Sequence, residues 1–145
     1  QMMPYKQKEI LDDEWYTQML SMWIVSQKDN EYNPIHIHTE SSVSCVMYLK
    51  IPEYLPSRKT YRNDDGAITF FNNVAKDQVW GNPHIIIQPE VGDFYVFPAS
   101  QQHLVYPFRT VDGKGERRSA AFNAVFTKKS TQDALKKQQE EQAAI

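Results

Sequence analysis

Three side chains that could bind a metal ion stand at alternate positions within residues 33–42. They are His36, His38 and Glu40, and the chain has only four histidines in all. Side chains two apart on a strand share a face and are separated by about 7 Å at the backbone. Imidazole and carboxylate ligands suit iron, zinc, manganese, nickel or copper. The spacing therefore indicates either a metal site or a surface strand that carries two histidines by accident.

Polar residues in the second half of the chain could complete such a site. His103 follows a turn and begins an apolar segment. Further on, Arg117, Ser119 and Asn123 share one face of a predicted strand. An arginine and a serine facing the inside of a barrel are costly unless an anionic group meets them. A planar carboxylate would suit both side chains, and a salt bridge to one of the 18 acidic residues is the alternative.

The segments around these residues predict an antiparallel β fold. Alternating or β-branched segments predict about eight short strands, of which we expect the first to be buried. They lie at residues 22–27, 35–40, 42–51, 67–73, 84–88, 93–98, 103–108 and 117–127. Acidic residues and the helical spacing of Trp15, Met19 and Met22 predict a short N-terminal helix over residues 11–20. A capping-box-like start at Ser130 predicts a helix at the other end of the chain. Helical patterns between the strands are missing, which favours an antiparallel barrel or jelly roll over a parallel α/β sheet.

Length and charge narrow the functional classes. At 145 residues, the chain is long enough for a single domain, residues 1–145, with its own core. A net charge of −2 provides no basic surface for nucleic acid and no polybasic membrane anchor. No apolar run approaches the roughly 20 residues of a membrane helix, and the first residues lack the apolar core of a signal peptide. The single cysteine, Cys45, is typical of a protein of the reducing cytoplasm.

Taken in order, five motifs resemble those of the 2-oxoglutarate/Fe(II)-dependent dioxygenase superfamily. They are H-x-H at residues 36–38, SCVMYL at 44–49, DGAITFFN at 65–72, PEVGDFYVFPASQQHLVYPF at 89–108 and RRSAAFN at 117–123. The branch that they are most similar to consists of small bacterial and phage proteins. The resemblance extends over about residues 23–126. It implies an all-β fold, a double-stranded β-helix or jelly roll, in which the open end holds Fe(II); the two predicted helices would be a short N-terminal one and a peripheral C-terminal one.

The resemblance also implies roles for individual residues. His36 and His103 would bind the metal, and Arg117 with Ser119 would hold the far carboxylate of 2-oxoglutarate. Tyr48 would be a further donor to that carboxylate.

Asn123 would be a supporting polar residue of the same site, or a hydrogen-bonding residue of its strand.

The carboxylate position of the superfamily motif is occupied by His38. We favour His38 as the third ligand. The alternative is a shifted register in which Glu40 binds the metal and His36 lies beside the site.

The activity implied is hydroxylation of a substrate, coupled to decarboxylation of 2-oxoglutarate to succinate. The substrate would be an unidentified small molecule or peptide; neither nucleic acid nor a membrane is expected as a partner, and a homodimer is left open. Two alternatives are a cupin-type metal-dependent enzyme and a metal-free jelly-roll binding module. The spacing of Glu40 after His38 and of His103 after Gly92 differs from that of cupins, which also assign no role to Arg117.

Overall fold

The computed structural model describes residues 14–56, 64–72 and 83–143. Within these ranges the chain forms eight strands followed by a helix. In chain order they are β1 Trp15–Lys28, β2 Asn33–His36, β3 Val43–Lys50, β4 Ile68–Phe71, β5 His84–Ile87, β6 Phe94–Pro98, β7 His103–Val105, β8 Glu116–Lys128 and α1 Lys129–Ala143.

The strands form two four-stranded sheets, and every strand pair is antiparallel. One sheet has the order β1-β8-β3-β6 and the other the order β2-β7-β4-β5. Neighbours in a sheet are mostly distant in sequence, because the chain passes repeatedly from one sheet to the other. This is the jelly-roll arrangement, and the predicted all-β fold class is confirmed.

The inner face of β8 carries polar residues into the centre of the molecule. Arg117, Ser119 and Ala121 alternate with more exposed residues, and all three are buried. On the adjacent strand Tyr48 pairs in register with Ser119, and it is the largest fully buried side chain among the described residues. The period-two pattern of this part of the sequence therefore predicted the facing of β8 correctly.

The predicted N-terminal helix is wrong for the part of it that the structure describes. From Trp15 onward the segment is strand β1, which pairs with β8 as far as Lys28 opposite Glu116, with one irregularity between Met19 and Ser21. The edge of β8 offers hydrogen-bond partners to the backbone N–H and C=O groups of this segment. A local helix would not satisfy these groups better, so tertiary pairing overrides the local pattern. Residues 11–13 of the predicted helix lie outside the described residues.

The strand predicted over residues 22–27 is present, but the prediction that it is buried is wrong. Met22 and Ile24 are 64% and 53% exposed, because β1 is an edge strand whose outer face is uncovered in the described part of the chain. Gln27 is the exception, with 3% of its surface exposed.

The C-terminal helix is confirmed as peripheral. Helix α1 contains no buried residue. Its side chains Lys129 and Leu135 are accessible, and Lys129 pairs with Glu14 at the start of the described chain. In the ranges described here, no helix is both long and apolar enough to cross a membrane.

Candidate active site

Three histidines meet where β2 ends and β7 begins. His36 is the last residue of β2 and pairs in register with His103, the first residue of β7. His38 lies two residues beyond the end of β2, where its backbone N–H donates to the carbonyl of Ala99 at 2.9 Å. Each imidazole offers one nitrogen, and these ligand atoms lie within 4.8 Å of one another. The arrangement allows all three to bind a single ion.

Backbone carbonyls orient two of the three rings. In the tautomer that carries its proton on Nδ1, His36 donates to the carbonyl of Pro34 at 2.8 Å. His103 donates in the same way to the carbonyl of Gln101 at 2.9 Å. These hydrogen bonds leave each Nε2 with a free lone pair, as a metal ligand requires.

The surroundings of His38 and His103 favour their neutral imidazole forms. Burial lowers the pKa of His103 to about 4, assisted by the neighbouring His36 and His38 and opposed by the Gln101 carbonyl. Burial, followed by the proximity of His36, also lowers the pKa of His38. Neutral imidazole is the form that binds a metal, so the cluster is suited to bind one at neutral pH.

Aromatic rings enclose the cluster. Phe97 and Phe70 lie against His103, with ring centroids at 4.8 and 5.9 Å. The indole of Trp23 lies 5.9 Å from the imidazole of His38. These contacts restrict the rotation of the two imidazoles.

Glu40 does not belong to the histidine cluster. The predicted strand over residues 35–40 ends at His36, so the alternation that would have placed Glu40 on the same face is interrupted. Glu40 is exposed and has a φ of 57°, and the metal-binding group formed by the described residues consists of His36, His38 and His103.

A second polar group lies on β8 and its neighbours. Arg117, Ser119 and Tyr48 are exposed by 2%, 3% and 1% respectively. The guanidinium carbon of Arg117 lies 4.7 Å from the centre of the Tyr48 ring. Its Nη1 donates to Oε1 of Gln27 at 3.0 Å. Among the described residues no carboxylate forms an ion pair with Arg117, so its buried charge lacks an anionic partner there.

Two donors in this group are buried without a hydrogen bond within the described residues: Nε of Arg117 and the hydroxyl of Tyr48. A buried polar atom left unpaired costs roughly 1–3 kcal/mol. Burial raises the pKa of Tyr48 to about 12, against the opposing effect of Arg117, so the phenol keeps its proton and stays a donor. A cation and a hydroxyl donor with unused hydrogen-bonding capacity fit a carboxylate ligand.

The two groups share one cavity, with a volume of about 80 Å³. Six residues proposed from the sequence line it: His36, His38, His103, Tyr48, Arg117 and Ser119. Asn123 does not. It is half-buried further along β8, opposite Ser44, and its side-chain oxygen has no hydrogen-bond partner among the described residues.

Sequence reasoning missed two residues of this region. Trp23 lines the cavity beside His38, and Gln27 binds Arg117 from the next strand. Both were part of a segment interpreted only as a helix end and a buried strand. The one available signal was a polar glutamine near the end of an apolar run, and it does not indicate a partner.

The family to which the chain belongs is identified by its sequence. Residues 21–123 match the family model described as "Putative 2OG-Fe(II) oxygenase", and the chain is a member of that family. No curated protein matches the chain in sequence.

Two solved structures of low sequence identity share the fold. A Burkholderia pseudomallei oxidoreductase of the 2OG-Fe(II) oxygenase family superposes with a TM-score of 0.55 and 16% identity, over 78% of this chain and 46% of that one. A nickel complex of the non-heme monooxygenase ThoJ superposes with a TM-score of 0.51 and 8% identity, over 77% and 46%. A Pseudomonas putida prolyl-4-hydroxylase gives a TM-score of 0.47 and 20% identity, over 83% and 58%. The chain thus spans about half the length of the two structures that share its fold.

Proposed function

We propose that the protein is a 2-oxoglutarate- and Fe(II)-dependent oxygenase that hydroxylates a small molecule or a peptide. One observation carries the proposal: a single cavity is lined both by three converging imidazoles and by a buried arginine with no carboxylate partner in the described chain. An oxygenase of this kind needs a metal and a dicarboxylate in the same cavity. The family match favours this activity over the cupin and metal-free alternatives.

The three histidines would hold the metal. His36, His38 and His103 supply three neutral nitrogen ligands, a set that suits iron among the first-row metals. When bound, Fe(II) would supply the oxygen chemistry that couples decarboxylation of 2-oxoglutarate to oxidation of the substrate. Because the ligands are neutral, they would leave the full metal charge to attract an anionic cosubstrate.

Arg117, Ser119 and Tyr48 would hold the far carboxylate of 2-oxoglutarate. The guanidinium offers charge and its unpaired Nε, while the phenol offers an unpaired hydroxyl. Ser119 stands opposite Tyr48 in the sheet and contributes a second hydroxyl to the same wall. Binding the carboxylate would satisfy donors that are otherwise buried without partners.

Apolar side chains would exclude water from the reacting groups. Ile68, Phe97 and Val105 are buried and line the cavity beside the polar residues. Electrostatic interactions are stronger in such surroundings than in water, which strengthens both the attraction of the metal charge for its anionic ligand and the arginine–carboxylate pair.

We place the protein in the cytoplasm, where a reducing environment keeps Cys45 and ferrous iron reduced.

Anaerobic titration with Fe(II) and 2-oxoglutarate tests the proposal. We expect a weak visible charge-transfer band in the wild type that requires both additions. In Arg117→Met, addition of 2-oxoglutarate should no longer produce the band, because the far carboxylate loses its charged partner. Arg118→Met is the matched control, since Arg118 points to the opposite face and pairs with Glu116. A wild type without the band would contradict the proposed function.

An assay of succinate release tests the two proposed substrate classes. Succinate release from 2-oxoglutarate should rise above the uncoupled rate when a true substrate is present. A panel of short peptides and small metabolites covers the two classes proposed, and an oligonucleotide serves as the class expected to have no effect. The same measurement on His103→Ala should give no substrate-dependent release.

A further inference from the structure

We propose that Gln27 is a positioning residue that holds the guanidinium of Arg117 and, because it is uncharged, leaves the charge of Arg117 available to the far carboxylate of 2-oxoglutarate. The inference rests on the proposed function of the cavity. It adds a residue of β1 to the polar group that Arg117, Ser119 and Tyr48 form on β8 and β3.

The geometry fixes the glutamine amide in one orientation. Gln27 and Arg117 are register partners in the β1–β8 pair, and Gln27 is 3% exposed. Its Nε2 donates to the carbonyl of Glu31 at 2.5 Å and to that of Tyr106 at 3.4 Å. The amide nitrogen is thereby directed to acceptors, and Oε1 accepts from Nη1 of Arg117 at 3.0 Å. A rotated amide would lose both carbonyl contacts and place two donors against each other.

The absence of charge on Gln27 matters as much as the hydrogen bond. A buried arginine is ordinarily paired with a carboxylate, whereas within the described residues Arg117 receives an amide oxygen and the face of Tyr48. The amide restrains one end of the guanidinium without neutralising it, and Nε is left without a partner in that part of the chain. A glutamate at position 27 would place a resident carboxylate at the contact and compete with the ligand carboxylate.

Gln27→Glu tests the charge argument through ligand binding. The iron-loaded protein is titrated anaerobically with 2-oxoglutarate and with 2-oxopentanoate, which has the same carbon chain but no far carboxylate. We expect the dissociation constant for 2-oxoglutarate to rise at least about tenfold, and that for 2-oxopentanoate to change less than about twofold. Gln18→Glu makes the same charge change at an exposed position of β1 and should alter neither value.

Gln27→Met is a second test, which does not depend on whether Gln27→Glu folds. It keeps the side-chain length, adds no charge and removes the hydrogen bond to Arg117. The preference for 2-oxoglutarate over 2-oxopentanoate should fall about threefold or more, since the guanidinium is less restrained. Equal weakening of both ligands would indicate a general structural role and overturn the inference, as would unchanged preference in both Gln27 variants.

A ligand-free measurement separates this inference from the proposed function. In a double-mutant cycle of Gln27→Met and Arg117→Met, followed by urea unfolding, we expect the two changes to be coupled by at least about fivefold in the unfolding equilibrium constant. Additive effects would overturn the positioning role. A wild type that binds no 2-oxoglutarate but retains the coupling would refute the proposed function and the charge argument, while the positioning of Arg117 by Gln27 would stand.

Discussion

The imidazoles of His36 and His103 face each other across the β2–β7 pair with their ring centroids 4.1 Å apart. A backbone carbonyl holds each ring from behind. Two protonated rings at this separation would repel each other, whereas two neutral rings can share an ion. The register of the β2–β7 pair thus places two of the three proposed metal ligands side by side in the cavity.

Removing either ring should therefore remove metal binding. We expect His103→Ala to weaken Co(II) binding by at least about 100-fold, more than the loss of a supporting residue beyond the ligands usually causes. His84→Ala is the control, because His84 lies on β5 next to Phe71 and outside the cluster; its affinity should stay within about twofold of the wild type. Isothermal titration under argon gives both values, and equal loss in the two variants would contradict the assignment.

Position 38 rather than position 40 should determine the affinity for the metal. His38→Asp places a carboxylate where the superfamily motif has one, so we expect metal binding to be retained and His38→Ala to lose it. Glu40→Gln should leave the affinity within about twofold, since Glu40 is exposed and separate from the cluster. Metal content after anaerobic dialysis shows whether position 38 or position 40 supplies the ligand. Loss of metal in the Glu40 variant would favour the shifted register.

The Tyr48 phenol should ionise far above the usual range. Its pKa is raised to about 12 by burial, while a tyrosine in the unfolded chain ionises near 10. Its contribution to stability, roughly 2–3 kcal/mol, is therefore fully present below pH 10 and lost as the pH rises toward 12. The difference between the ultraviolet pH titrations of wild type and Tyr48→Phe isolates this group. An inflection near pH 10 would contradict its burial beside Arg117.

Much of the fold could be predicted because its strands are half-buried and alternate. The pattern of β8 places Arg117 and Ser119 on the buried face, as observed. Strand β1 could not be recognised in the same way, because Trp15, Met19 and Met22 are all exposed and so no two-residue periodicity is imposed on that half of it.

The site was only partly predictable for a related reason. The types and spacing of His36 and His38 indicate metal binding, but their meeting with His103 depends on a strand register that sequence does not specify. Gln27 gave only a weak signal, a polar residue near the end of an apolar run, because a glutamine in a strand is ordinarily solvent-exposed. Its function depends on a partner 90 residues away.

The turn at Gly66 should tolerate no side chain. Gly66 has a φ of 70°, and a Cβ there would overlap the hydroxyl and ring of Tyr54, which is stacked on Phe108. Gly92 is a matched control with a φ of 97° and open space around it. We expect Gly92→Ala to cost about 1–2 kcal/mol from the backbone alone, and Gly66→Ala to cost a further 1–3 kcal/mol from the overlap. Urea unfolding measures both, and equal costs would mean that Tyr54 is not fixed against the turn.

Trp23 should report metal binding by its fluorescence. Its indole lines the cavity 5.9 Å from the His38 ring, close enough for a bound paramagnetic ion to quench it. Trp15 stands at the other end of β1 beside Lys128. We expect Trp23→Phe to lose more than half of the Co(II)-dependent quenching and Trp15→Phe to keep most of it.

Substitutions of Trp23 also show whether this residue only reports metal binding or also holds His38 in place. If Trp23 also restrains His38, then Trp23→Ala should weaken Co(II) binding about tenfold while Trp23→Phe, which keeps an aromatic ring against the imidazole, should weaken it less. Calorimetry measures the affinity independently of the fluorescence. Quenching that persists in Trp23→Phe would place the ion away from His38 and contradict the three-histidine site, because the indole and that imidazole are direct neighbours.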